Sequence, residues 1–367
     1  MARNVYLHKL GGIESFLKEV FRYSVFKNDM ILAHNDAEGY SDCDSSIRVN
    51  QISISSERLL SFISKQGIRA MLTFTKKKKE IIQNYNVRLV MANTPSMAFP
   101  FIDNKVTRDY SLLFFSHGET INGEPVSEGS FFKSHYHTNI NRKAHLQSDK
   151  TVFVSKYEME RFKSIHPGRS DYVQYIPTMI DCQKLSRFKK NQSTNPWFVY
   201  AGRLNRVKNV ELIISAFTKL PPNYELYIVG DGPDRKMLEM VSRKLGGENR
   251  IVFTGFLKHE HLFELIASSV AVVLASKREG KPMIALESLG LGVPVIAPKI
   301  PAFEEFIVAD QNGVLFEPDS VDSLKESMIE LDNKSHLRGL SCLETALQFD
   351  SRCVVPKIDE LLESKFV

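Results

Sequence analysis

Cysteine and tryptophan are scarce: four Cys (Cys43, Cys182, Cys342, Cys353) and a single Trp in 367 residues. No two cysteines form a C-x-x-C pair, so neither a zinc site nor a disulfide framework is expected, and reduced thiols fit better. Long apolar runs are missing as well. Stretches such as Val270–Ala275 are strand-sized, far short of the roughly 18 residues that cross a bilayer. His8, Lys9, Gly11, Gly12 and Glu14 interrupt the first sixteen residues, where a secretory leader would need a continuous apolar core. These absences argue against an integral membrane or secreted protein and make a cytoplasmic one the expectation. Paired D-x-D carboxylates are absent except for Asp42-Cys43-Asp44, and no Cys or carboxylate completes a ligand set around His135 and His137. No metal site is expected.

What is present describes a globular chain. Hydrophobic residues make up 43% and charged residues 25%, with a mean hydropathy of −0.19. The length exceeds what one core usually supports, so two domains are expected. Residues 1–180 carry 24 basic against 18 acidic side chains, a net +6 out of +5 for the whole chain, and seven of the ten His. That bias suits an anionic partner, such as a phosphate-bearing substrate or a membrane surface, although ordinary scatter produces imbalances of this size. No basic stripe is interleaved with aromatics, so nucleic acid is not an expected partner.

Short Val- and Ile-rich runs alternate with amphipathic stretches, the pattern of βαβ units with buried parallel strands. Strands are expected at 4–8, 30–34, 70–74, 87–92, 112–116, 152–155 and 173–176 in the first half. In the second half they are expected at 198–201, 225–229, 251–254, 270–275, 293–297 and 313–316. The polar stretch Ser186–Asn195 breaks this rhythm and reads as a linker. The expected division is residues 1–185, residues 186–350 and a C-terminal helix over 351–367 that packs back on the first domain. Each half then forms an open α/β sheet, and ligands of such sheets sit at the carboxyl ends of the strands.

Two strand–loop–helix units concentrate the chemistry. In the first, Arg203 and Lys208 leave the loop after the strand that ends at Ala201. A guanidinium and an ammonium placed there would neutralise a diphosphate. In the second, Glu279 and Gly280 occupy the loop after Ala275, Pro282 opens a helix, and Glu287 follows eight residues after Glu279. The N–H groups of Met283 and Ile284 would face an anion at that helix start. The two carboxylates could accept hydrogen bonds from the hydroxyls of a ribose and a sugar ring. Taken singly, each residue reads equally well as a solvated surface charge.

Together they resemble the nucleotide-sugar domain of the GT-B glycosyltransferases, specifically the large retaining family usually numbered four. The resemblance rests on GRLNRVKNVELIISAF (202–217), ELYIVGDGPDR (225–235), IVFTGFLKHEHLFELIASS (251–269), Glu279 with Glu287, LGVPVIA (291–297) and NGVLFEP (312–318), in that order. It implies a GT-B fold, two Rossmann-like α/β/α domains facing a central cleft. It also implies roles: Arg203 and Lys208 on the donor diphosphate, Glu279 on the transferred sugar, Glu287 on the ribose, and Gly255-Phe256 beside the nucleobase. Gly280, Met283 and Ile284 would complete the donor site.

In the first half the match is weaker. Gly11-Gly12 resemble the family's glycine-rich loop, with Gly12 near the donor phosphate or the acceptor. His117 resembles an active-site histidine that would hydrogen-bond the sugar or assist proton movement near neutral pH; a buried structural His is the alternative. Departures include Asn209 where Gly is common after Lys208, and Lys281-Pro282 where Phe-Gly is common after Gly280; Lys281 would add a cation to the donor site.

The resemblance implies a metal-independent transferase without cofactor, acting on a nucleotide sugar (UDP- ahead of GDP-) and on a glycan or lipid-linked acceptor. Bacterial lipopolysaccharide O-antigen or capsule assembly, with peripheral attachment to the cytoplasmic membrane face, is the expected setting. The alternatives are a non-catalytic sugar-nucleotide-binding subunit and a nucleotide-sugar epimerase on the same fold.

Overall fold

The computed structural model describes residues 131–188, 196–280, 282–334, 337 and 339–366, with shorter pieces before them: 16, 19–20, 22–25, 31–34, 50–53, 75, 78, 82–83, 87–102 and 110–117. Two compact units result, Met1–Met179 with Val354–Val367, and Ile180–Cys353.

In the first unit, strands β1 (Ile31–His34) and β2 (Asn50–Ser53) pair in parallel as a separate ribbon. Strands β3 (Leu89–Ala92), β4 (Ser111–Ser116), β5 (Lys150–Phe153) and β6 (Val173–Tyr175) form a parallel sheet in that order. Helix α1 (Phe131–Gln147) joins β4 to β5, and α2 (Lys156–Ile165) leads on from β5 towards β6. Ser155 starts α2 by accepting a hydrogen bond from the Glu158 N–H at 3.2 Å, the S-x-x-E cap its sequence offers. The strands predicted at 4–8 and 70–74 lie outside the described residues. β2 was not predicted.

The second unit holds six parallel strands: β7 (Trp197–Ala201), β8 (Glu225–Val229), β9 (Ile251–Gly255), β10 (Ala271–Val273), β11 (Val295–Pro298) and β12 (Gly313–Phe316). They lie in the order β12-β11-β10-β7-β8-β9. Helices α3 (Cys182–Leu185), α4 (Val210–Phe217), α5 (Arg235–Lys244), α6 (His259–Ser268), α7 (Met283–Gly290), α8 (Val321–Asn333) and α9 (Leu340–Leu347) accompany them. The chain builds outward from β7 on one side, then returns to β10 on the other. β7 and β10 are neighbours, with Ala271 beside Phe198, and mark the point where the strand order reverses. The loops leaving these two strands are the ones singled out by sequence.

The boundary falls between Met179 and Ile180 rather than in the polar stretch 186–195, of which 189–195 lie outside the described residues. The cause is backbone pairing: Ile180 N–H donates to the Phe349 carbonyl at 2.9 Å and its carbonyl accepts from Ser351 N–H at 2.9 Å. That ties 180–185 into the second unit. The last helix, α10 (Ser351–Phe366), carries Val354, Val355, Ile358, Leu361 and Leu362 into the core of the first unit, against Phe16, Leu113, Phe115, Ile176 and Met179. No helix among the described residues is long and apolar enough to cross a membrane.

Candidate active site

The carboxyl ends of β7, β8 and β9 are laced by backbone. Gly202 N–H donates to the Val229 carbonyl at 3.0 Å, Leu204 N–H to that of Asp231 at 3.0 Å, and Gly230 N–H to that of Gly255 at 2.8 Å. This lacing requires two glycines. A Cβ on Gly230, whose φ is +125°, would stand 2.0 Å from the Gly202 carbonyl oxygen, and one on Gly232 would stand 2.1 Å from that of Leu204. The loop bearing Arg203 and Lys208 is therefore packed directly on the G-D-G turn after β8.

Within that loop, the buried Tyr200 hydroxyl donates to the Arg203 carbonyl at 3.0 Å, and the Asn205 side chain accepts from Lys208 N–H at 3.2 Å. Asn209 then takes a left-handed conformation (φ 51°, ψ 42°) before α4 begins, and its amide donates to Asp319 at 3.0 Å. Glycine and asparagine are the residues that adopt this conformation at small cost, which accounts for the Asn where Gly is common.

The β7 and β10 loops meet. Lys277 N–H donates to the Val207 carbonyl at 2.9 Å. The Lys208 ammonium donates to Glu279 Oε1, and the same oxygen accepts from the Ser276 hydroxyl at 2.7 Å. Both partners of this ion pair are mostly buried, with 27% and 11% of their side chains exposed. Ser276 and Tyr200 were not among the predicted site residues. The only trace of Ser276 in the sequence is a hydroxyl three residues before a loop carboxylate. Arg203 is exposed, and among the described residues no ion pair engages it.

Helix α7 follows. Ala285 and Leu286 N–H both turn back to the Pro282 carbonyl, at 3.0 and 3.4 Å, so Met283 and Ile284 form the first turn ahead of the closed ladder. Glu287, one turn further, is half-buried, and burial pushes its carboxyl up to about 7 against a smaller opposing pull from the Lys184 ammonium on α3. Gly255, at φ +71°, ends β9, and Phe256 beyond it is 81% exposed. A cavity of about 420 Å³ opens beside Asn205, Arg206, Asn209, Asp234 and Lys277; neither Lys208 nor Glu279 lines it. Among the described residues no three His, Cys, Asp or Glu side chains gather as a metal site would require.

Gly12 and Lys281 lie outside the described residues. His117 belongs to the first unit, directly after β4. Burial pushes its imidazole down to about 4, so the ring is neutral at neutral pH.

Comparison with known proteins bears on the second unit and on the fold. Residues 183–339 match the family model "Glycosyl transferases group 1". The matched residues lie within the second unit, Ile180–Cys353. An uncharacterized glycosyltransferase of Methanocaldococcus jannaschii is 32% identical over 192 residues, 48% of this chain and 49% of that protein. A lipopolysaccharide 1,6-galactosyltransferase of Escherichia coli K12 is 28% identical over 176 residues, 46% of this chain and 45% of that protein. The chain thus spans about half the length of these curated relatives. Among solved structures, Anabaena HepE in complex with UDP superposes with a TM-score of 0.75 at 18% identity, covering 99% of this chain and 98% of that one. The fold is the GT-B fold of glycosyltransferases, with two parallel-sheet α/β domains.

Proposed function

We propose that this protein is a retaining glycosyltransferase of the family numbered four. In this reading it moves a hexose or N-acetylhexosamine from a nucleoside-diphosphate sugar to a glycan or lipid-linked acceptor in lipopolysaccharide O-antigen or capsule assembly. The observation that carries the reading is the meeting of Lys208 and Glu279 at the strand-order reversal, where open α/β sheets bind ligands. The E. coli relative, named for lipopolysaccharide galactosyl transfer, supports the setting, and the UDP complex of HepE supports uridine ahead of guanosine.

Each residue has one task. The sugar's C1–O bond to the diphosphate breaks, a C1–O bond to the acceptor oxygen forms, and the acceptor hydroxyl gives its proton to an oxygen of the departing diphosphate. Arg203, Lys208 and the first turn of α7 stabilise the negative charge gathering on the diphosphate as it leaves. Glu279, fixed through Oε1 by Lys208 and Ser276, orients the sugar hydroxyls. Glu287 accepts from the ribose, and Phe256 flanks the base. No resident metal or cofactor has a part in this reading.

A thermal-shift series with nucleoside diphosphates and nucleotide sugars, with and without chelator, tests the donor site. One base should raise the midpoint selectively and independently of chelator. Lys208→Ala and Glu279→Ala should retain the fold and lose transfer by at least about a hundredfold. Turnover at the wild-type rate in either variant sinks the site assignment. Absence of a shift with every nucleotide sinks the donor-site assignment.

A further inference from the structure

His117 follows β4 and Asn93 follows the adjacent strand β3, whose Ala92 lies beside Phe114. Asn93 is 1% exposed, and its Oδ1 lies 3.0 Å from His117 Nε2. The imidazole is held on two further sides, edge-on to Phe16 with centroids 5.0 Å apart and nearly parallel to Phe115 at 6.5 Å. Among the described residues nothing bonds His117 Nδ1, and the ring is half-buried, so this nitrogen is the polar atom it has left to offer. Among the described residues Asn93 Nδ2 is buried without a partner. That arrangement costs folding free energy which an apolar residue would not incur. What the amide provides is a fixed acceptor for the ring.

We propose that Asn93 is a positioning residue: its amide oxygen holds His117 in the Nε2–H tautomer and thereby presents Nδ1 as a hydrogen-bond acceptor for a substrate hydroxyl. A neutral imidazole offers one donor and one acceptor nitrogen, and the partner of one decides the task of the other. With Asn93 Oδ1 on Nε2, a hydroxyl can donate to the ring. With the opposite tautomer it could not, and a substrate hydroxyl would meet N–H instead of a lone pair. The burial that keeps the ring neutral works in the same direction, because protonation would remove the lone pair.

The inference rests on the transferase reading above, and its test separates the two. Nitrogen-15 shifts of the His117 ring, recorded on the full chain without substrate, should show Nε2 protonated and Nδ1 bare; the reverse assignment overturns the proposal. Asn93→Leu, similar in size but without an acceptor, should mix the tautomers and lower kcat about tenfold while leaving donor KM unchanged. Asn93→Asp, which keeps an oxygen at that place, should restore both the ring signature and most of the turnover. Unchanged kcat in a folded Asn93→Leu protein overturns the positioning role, as does a loss confined to KM. If Asn93→Leu does not fold, the wild-type ring shifts and Asn93→Asp still decide. Wild-type protein inactive on every nucleotide sugar sinks the transferase reading, and the ring shifts stay readable on the protein alone.

Discussion

Replacing Glu287 by Gln should stabilise the protein at pH 8 and leave it unchanged near pH 4. The carboxyl ordinarily titrates at 4.5 and is pushed up by burial to about 7 in the folded chain. The folded state therefore holds this proton more tightly than the unfolded state, and stability falls as pH climbs from 4.5 to 7, then levels off. At about 1.4 kcal/mol for each pH unit, the interval corresponds to about 3 kcal/mol of stability lost by pH 8. Lys184 already offsets part of the burial cost, so that figure includes its help. Gln fills the same space and carries no charge to desolvate. The gap between variant and wild type should open from nothing near pH 4 to about 3 kcal/mol at pH 8. Urea unfolding followed by tryptophan fluorescence is the assay. The single Trp, Trp197, lies in β7 with its indole N–H on the Leu265 carbonyl at 3.1 Å, and it reports the unit that contains Glu287. Stability curves for the two proteins that stay parallel from pH 4 to pH 8 would refute the reasoning. The same titration bears on function. A ribose hydroxyl donates more strongly to the ionised carboxylate than to the protonated acid, so nucleoside diphosphate affinity should rise with pH up to about 7 in wild type and stay flat in Glu287→Gln.

Two further substitutions test the scaffold under the loops. Gly230→Ala forces a Cβ to within 2.0 Å of the Gly202 carbonyl at φ +125°, and should cost upwards of about 2 kcal/mol in urea unfolding and weaken nucleotide binding with it. Asn209→Gly should leave stability within about 0.5 kcal/mol, whereas Asn209→Val, β-branched at φ 51°, should cost about 1–2 kcal/mol; equal melting of the two would mean that the left-handed turn does not constrain the loop.

Much of the second unit was legible in the sequence because its strands are buried on both faces. Glu225–Val229 and Gly313–Phe316 were placed to the residue, each an apolar run closed by glycine or proline. The strand expected over 270–275 is narrower, since only Ala271–Val273 stay in the sheet before the chain departs to carry Ser276 and Glu279. β2, Asn50–Ser53, has a single apolar residue and draws its order from backbone pairing with β1, which no periodicity announces. The charged residues of the site stood out by type and spacing. Ser276 and Asn93 did not, because a hydroxyl or amide acquires its meaning from its partner. In Asn93 that partner lies 24 positions away, just past the neighbouring strand. Nor could spacing foretell the raised Glu287 carboxyl, which depends on how deeply α7 is buried.

The path of α10 has a consequence for how the protein is made. Its first three residues belong to the second unit, Pro356 inside it cannot donate to the carbonyl of Arg352, and from Val354 onward its apolar side chains complete the core of the first. Asp359 accepts from the Ser24 hydroxyl and from Val25 N–H, so this helix is also tied to a segment more than 330 positions earlier. During synthesis the first unit must wait, its Phe16, Leu113 and Phe115 uncovered, until the whole second unit and then the final helix leave the ribosome. Emergence of Ser351–Phe366 is thus the event that lets the first-made half finish folding, and a nascent chain stalled before Ser351 should present a folded second unit beside an open, chaperone-binding first one.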